Sequence, residues 1–143
     1  MEQFLRLADW MRDDLGLKTV FIGADIMDSI PVSGTNHLNL AGQTDLAELG
    51  WLLNRARVLV TRTTGPSHLA AAVDCPQVVL FGRTEPIYSP TRWRPLTEKA
   101  VIIAKSTPRK RWESADKYWQ RCFAAISVDE VQEAVRQALR FAR

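Results

Sequence analysis

Four short apolar runs constrain what this chain can fold into: Thr19-Val20-Phe21-Ile22, Val58-Leu59-Val60-Thr61, Val78-Val79-Leu80-Phe81 and Val101-Ile102-Ile103. None alternates with polar residues, so each reads as a strand buried on both faces. Between them lie segments of helical period. Phe4, Ala8, Met11 and Leu15 share one face, and Gly16 follows where a left-handed residue ends a helix. Leu46, Leu49, Leu53 and Ala56 form a second face, with Thr44 predicted as its N-cap and Asp45 in its first turn. Pro66 is expected at the first position of a shorter helix that packs through Leu69, Ala70 and Val73 and stops at Asp74-Cys75-Pro76. Ser127-Val128-Asp129-Glu130 reads as a capping box, with Ile126 stapling onto Val131. Val131, Ala134, Val135, Ala138, Leu139 and Ala142 then continue at helical spacing.

Helices alternating with buried strands predict an α/β domain with a Rossmann-like, doubly wound parallel sheet, because parallel neighbours need crossovers that cover both faces. A fifth, weaker strand at Leu38-Asn39-Leu40 extends it. Residues 24–37 and 83–99 read as long loops, and 105–126 as an irregular, basic, tryptophan-bearing stretch. A length of 143 residues suits one domain, 1–143. The apolar runs are far shorter than the roughly 18 residues of a membrane span, and no signal peptide opens the chain, so a cytoplasmic location is expected. Cys75 and Cys122 have no metal-spaced partner and are expected as structural, reduced thiols.

Charge divides the chain. Residues 1–72 hold 6 Lys and Arg against 8 Asp and Glu, whereas residues 73–143 hold 13 against 8. The basic half could face an anion, but its cations are dispersed apart from Arg109-Lys110-Arg111. A phosphorylated small molecule or an acidic surface fits as well as nucleic acid does.

Ligands of open parallel sheets bind beyond the carboxyl ends of the strands. Gly23 and Gly82 directly follow strand runs, and Gly65 follows another within four residues. Such glycines serve either as plain turn residues or to admit a ligand close to the backbone. In Thr63-Thr64-Gly65-Pro66-Ser67-His68 a strand runs in and a helix runs out, so unpaired backbone N–H groups and the positive end of a helix dipole converge there. That spot favours phosphate. The Thr63 and Thr64 hydroxyls could cap the helix or touch a diphosphate, and His68 could donate to an anion or pack inside. No dinucleotide or P-loop fingerprint, nucleophile elbow or metal-spaced cluster occurs, so redox, P-loop and hydrolase chemistry lose support.

Three ordered blocks resemble the C-terminal half of the heptosyltransferase family of bacterial glycosyltransferases: residues 38–49 (Leu38-Asn39-Leu40-Ala41-Gly42-Gln43-Thr44-Asp45), Thr63-Thr64-Gly65-Pro66-Ser67-His68-Leu69-Ala70, and residues 76–86 through Phe81-Gly82-Arg83-Thr84-Glu85-Pro86. Cys122-Phe123-Ala124-Ala125-Ile126-Ser127 and the last helix resemble the family's ending. The resemblance implies one half of a GT-B glycosyltransferase, the half that binds an ADP-heptose-like nucleotide-sugar for inverting transfer to a lipopolysaccharide-type glycan. An N-terminal domain would supply the acceptor site and the catalytic base. This half alone would be inactive, with no catalytic residue of its own, no metal and no cofactor. Donor contacts would fall to Gly23, Asp25 (near the ribose), Thr44 (near the base), Thr63, Thr64, Gly65, Pro66 and His68. Partners would be the donor and a glycan or glycolipid acceptor, with the inner face of the bacterial inner membrane nearby and no nucleic acid. Where the family commonly has Asp-Ser-Gly or Asp-Thr-Gly, this chain has Thr63-Thr64-Gly65 preceded by Arg62, which removes a carboxylate.

Two roles are open for the remaining features. Arg83, Arg92, Arg94 and Lys105 could meet the diphosphate or a phosphorylated acceptor, or form a solvated face. Trp93, Trp112 and Trp119 could stack on a sugar or base, but packing in the core or against another domain is favoured. Met1 opens directly on the first helix, which is expected of a piece of a longer or split protein, or of a degenerate copy. The alternative functions are a non-catalytic interaction module derived from a GT-B half and half of a nucleotide-sugar epimerase.

Overall fold

The computed structural model describes residues 2–24 and 37–142, so the predicted site residue Asp25 lies outside the described residues. Two compact units, 1–49 and 50–143, divide the chain.

The first unit contains α1 (Glu2–Leu15), β1 (Thr19–Phe21) and β2 (His37–Asn39). Leu7, Ala8 and Met11 are the buried residues of α1. It ends as expected: Gly16 has φ +63°, and its N–H donates to Arg12 O at 3.1 Å. This left-handed cap satisfies a carbonyl that the helix itself cannot. The weak strand expected to extend the main sheet instead pairs with β1 in a two-stranded parallel sheet, one residue earlier than expected: Thr19 pairs with His37, Val20 with Leu38 and Phe21 with Asn39.

Helix α2 (Leu46–Arg55) follows. Its cap is Asp45, not Thr44: Glu48 N–H donates to Asp45 Oδ1 at 2.8 Å and Asp45 N–H to Glu48 Oε2 at 2.9 Å. A carboxylate one residue further on completes this reciprocal pair, whereas Thr44 sits one step too early to reach those amides. Leu53 is buried, but the predicted face fails at Leu46, which is 73% exposed.

The second unit is built on β3 (Leu59–Arg62), β4 (Gln77–Phe81) and β5 (Ala100–Ala104), all parallel with β4 central. Arg62 registers with Leu80, and Phe81 with Ala104, so all three carboxyl ends lie on one edge. Every β4 residue is buried, as a strand covered on both faces requires. Gln77 is fully buried and donates its side-chain amide to Ser67 O at 3.1 Å. That bond turns the Gln77 face toward α3 (Gly65–Ala72). α6 (Val128–Leu139) packs on β4 and β5. Val131, Ala134, Val135 and Ala138 are its buried stripe, and the Ser127–Glu130 capping box is formed in both directions.

Helix α3 begins at Gly65, which puts Pro66 at the second position rather than the first. It ends with Asp74 at φ +62°. Cys75 N–H reaches Ala70 O at 2.9 Å and Asp74 N–H reaches Ala71 O at 3.3 Å, the two bonds of a Schellman ending. Lys99 holds the Asp74 carboxylate at 2.6 Å. The loop after β4 contains one short helix, α4 (Pro90–Trp93). The stretch expected to be irregular contains α5 (Ala115–Ala124), capped by Ser114, whose hydroxyl accepts from Lys117 N–H. Tyr118 and Cys122, one turn apart, are its buried residues. In the sequence Ala115, Tyr118, Trp119, Cys122 and Phe123 recur at helical spacing, so the helix has a local signal that the irregular reading of this stretch passes over. Cys75 and Cys122 are both free and buried.

Candidate functional site

The carboxyl edge of β3–β4–β5 gathers Thr63, Thr64, Gly65, Gly82, Arg83 and Lys105 immediately beyond the strands. Thr64 stands at the N-cap of α3 in extended conformation, with φ −143° and ψ 171°, yet its side chain makes no capping bond. Its hydroxyl instead contacts Arg62 O and Thr61 Oγ1, each at 3.2 Å. Thr63 turns the other way and donates to Leu80 O at 3.4 Å, which fastens the loop to β4. Ser67 is fully buried and donates to Thr64 O at 2.8 Å. The first turn of α3 is thus tied down from within, while its start receives no side-chain acceptor. Gly65 is exposed, and a Cβ built on it would meet nothing within 4 Å. His68 is exposed as well, so inward packing does not account for it. Thr63, Thr64, Gly65, Pro66 and His68 therefore stand together at one helix start.

Gly23 and Thr44 lie in the first unit, where Gly23 is exposed and Thr44 half-buried. Gly23 O accepts from Gly42 N–H at 2.8 Å, which joins the segments following β1 and β2. Gly42, with φ +73°, was not singled out in the sequence, although the Ala41-Gly42 pair carries the turn signal. Asn39 organises that turn by accepting from Ala41 N–H at its side chain and from the Gln43 amide at its carbonyl, both at 3.1 Å.

The other edge residues have structural work. Gly82 is kept small by Phe123, whose ring would sit 2.7 Å from a Cβ there. The close approach it permits is made by a side chain of α5 rather than a ligand. Lys105 binds Glu130 at 2.7 Å and Ala125 O at 3.2 Å, and so joins the α6 capping box. Arg83 bonds Glu85 at 3.3 Å and lies over the Tyr88 ring at 3.7 Å. Burial alone would raise the Glu85 pKa, but backbone N–H groups of its turn and Arg83 outweigh it and leave the carboxyl below its ordinary range. Arg92 and Arg94 are exposed. Trp93, Trp112 and Trp119 are 45%, 86% and 42% exposed, so none is a core residue. Among the described residues no cluster of His, Cys, Asp or Glu could hold a metal ion, and no helix is long and apolar enough to cross a membrane.

Parallel α/β architecture with an open helix start on the carboxyl edge suits a phosphorylated ligand. The chain is similar to the crystal structure of the glycosyl transferase family 9 protein from Veillonella parvula DSM 2008, with 25% identity and a TM-score of 0.74 over 96% of this chain and 40% of that one. It is also similar to the structure of Escherichia coli ADP-heptose lps heptosyltransferase II, with 27% identity and a TM-score of 0.70 over the same shares. Residues 22–120 match glycosyltransferase family 9 (heptosyltransferase), and the chain belongs to that family. Among curated relatives, it is 39% identical over 83 residues to lipooligosaccharide heptosyltransferase 2 of Haemophilus influenzae, a match covering 57% of this chain and 23% of that protein. It is 38% identical over 71 residues to lipopolysaccharide heptosyltransferase 3 of E. coli K12, covering 50% and 18%. The chain spans well under half the length of these relatives.

Proposed function

We propose that this chain is the donor-binding part of a glycosyltransferase that builds a lipopolysaccharide-type glycan from a nucleotide-sugar such as ADP-heptose. One observation carries the reading: α3 starts on the carboxyl edge of a parallel sheet, and the Thr64 side chain at its N-cap is bonded elsewhere. The helix dipole and the Gly65 N–H then face solvent, where a diphosphate would meet them. Gly65 leaves room for close approach, and exposed His68, one turn in, can donate to a phosphate or sugar oxygen. The group leaving in glycosyl transfer is that diphosphate, whose charge grows in the transition state. Donors fixed before the reaction stabilise that growth and so contribute to rate. An inverting transfer needs a base on the acceptor side, which this proposal assigns to a part of the enzyme outside these residues.

Titration of the chain with ADP, ADP-heptose and UDP-sugars tests the proposal. Saturable binding of an ADP-ligand is expected, weakened about tenfold by His68→Ala, the loss of one charge-assisted hydrogen bond. No binding by any nucleoside diphosphate at millimolar concentration, or binding unchanged in His68→Ala and Gly65→Val, overturns it. Thr63 stands where a carboxylate is common in the family, so Thr63→Asp is expected to change the ranking of the donors.

A further inference from the structure

The side chain of Arg62, the exposed last residue of β3, has no part in the donor reading, yet the structure holds it in place. Successive strand residues face opposite sides, so Arg62 turns away from Thr61, whose hydroxyl meets the N-cap residue of α3. Its guanidinium carbon lies 5.3 Å from the centroid of the Phe123 ring on α5. That ring is itself seated against Gly82, where a Cβ would come within 2.7 Å of it. An arginine resting on an aromatic face keeps its in-plane fork of N–H donors for another partner. No such partner is supplied nearby. Among the described residues no carboxylate pairs with Arg62, and residues 49–73 contain no Asp or Glu. The other cations of this edge differ, since Arg83 holds Glu85 and Lys105 holds Glu130.

We propose that Arg62 selects a donor whose transferred sugar carries a carboxylate, as in a nucleotide-activated uronic acid. The inference rests on the donor reading, which seats the diphosphate at the start of α3. Arg62 precedes Gly65 by three residues, a span of at most about 11 Å, and the sugar of such a donor is joined directly to the distal phosphate. The sugar is therefore the part of the ligand next to this side chain. The diphosphate alone does not account for it, because that group is met by the N–H groups and dipole of α3, while Arg62 leaves the strand on the other face. A neutral sugar offers only hydroxyls, for which a guanidinium gains little over water. A carboxylate matches its fork with two parallel bonds. Phe123 holds the guanidinium before any ligand arrives, so less side-chain freedom is lost on binding.

Titration of the full chain with ADP and with two matched donors, ADP-glucose and ADP-glucuronic acid, tests it, since the donors differ only in the carboxylate of the sugar. ADP-glucuronic acid should bind about tenfold tighter than ADP-glucose, the gain of one charge-assisted pair. Arg62→Ala should remove that gap while ADP affinity stays within about twofold, because ADP has no sugar carboxylate and the lost charge is otherwise screened by solvent. Arg62→Lys should keep only part of the gap, as an ammonium cannot form the fork. Phe123→Leu should narrow it by taking away the ring on which the guanidinium rests. Retained ADP affinity and thermal melts check that the variants fold. If ADP binds but the two donors bind alike, or if the gap survives in Arg62→Ala, this inference fails and the donor reading stands. If Arg62→Ala weakens ADP and ADP-glucuronic acid equally, Arg62 serves the diphosphate and the inference is overturned. Failure of the parent chain to bind ADP overturns the donor reading and this inference with it.

Discussion

Two helices of the second unit start in opposite ways. At the start of α6 Ser127 and Glu130 exchange bonds with each other's backbone N–H, and Lys105 comes from the end of β5 to neutralise Glu130. At the start of α3 the residue in the same place, Thr64, points its hydroxyl elsewhere. A helix end that serves only the fold satisfies its orphan donors locally. One that leaves them without a side-chain acceptor, on the edge where open parallel sheets bind ligands, is what the proposed donor site requires. The two glycines repeat the contrast: Gly82 is filled against by Phe123, and Gly65 faces open space.

The glycines provide the largest test. Gly82→Ala forces the Phe123 ring to move and should cost about 1–3 kcal/mol in urea unfolding, with Phe123→Leu restoring part of it. Gly65→Ala should leave stability unchanged or raise it by up to about 1 kcal/mol, since a helical glycine with free space gains from a Cβ. The caps come next. Ser127→Ala should cost about 1 kcal/mol, and Thr64→Ala less than about 0.5 kcal/mol, because no capping bond is lost there. If both cost the same, the two helix starts are not different in kind.

Acidity gives the smallest effect. The Lys105 hydrogen bond, followed by the Ser127 backbone and hydroxyl, lowers the Glu130 pKa from an ordinary 4.5 to about 2. A depressed folded-state pKa contributes stability above the unfolded value and loses it as pH falls through the folded one. Glu130→Gln should therefore be less stable than the parent at pH 6, and the gap should close between about pH 4.5 and 2. A gap independent of pH would remove Lys105 from the account.

Much of this was legible in the sequence where local chemistry decides. Gly16 after Leu15 and Ser127 before Glu130 specify their caps through neighbouring atoms alone, and the β4 run declares a strand covered on both faces. Failures occurred where distant residues decide. Nothing near Gly82 announces Phe123, some forty positions away, and Lys105 reads as a free cation until Glu130 is beside it. α5 is an exception, since Ala115, Tyr118, Trp119, Cys122 and Phe123 recur at helical spacing and the helix was open to a local reading. At the candidate site the sequence located the helix start, but the direction of the Thr64 hydroxyl is decided by Thr61 and the Arg62 carbonyl, whose orientation only the folded strand fixes.

Cys75 sits behind the Schellman ending of α3, fully enclosed, and burial pushes its thiol up to about 11. At neutral pH it is neither ionised nor reachable, so an alkylating reagent can modify it only in molecules whose α3–β4 corner has opened. That makes the side chain a built-in clock. The rate of its labelling over a denaturant series measures how often this corner opens, and a ligand that closes on the α3 start should slow the count.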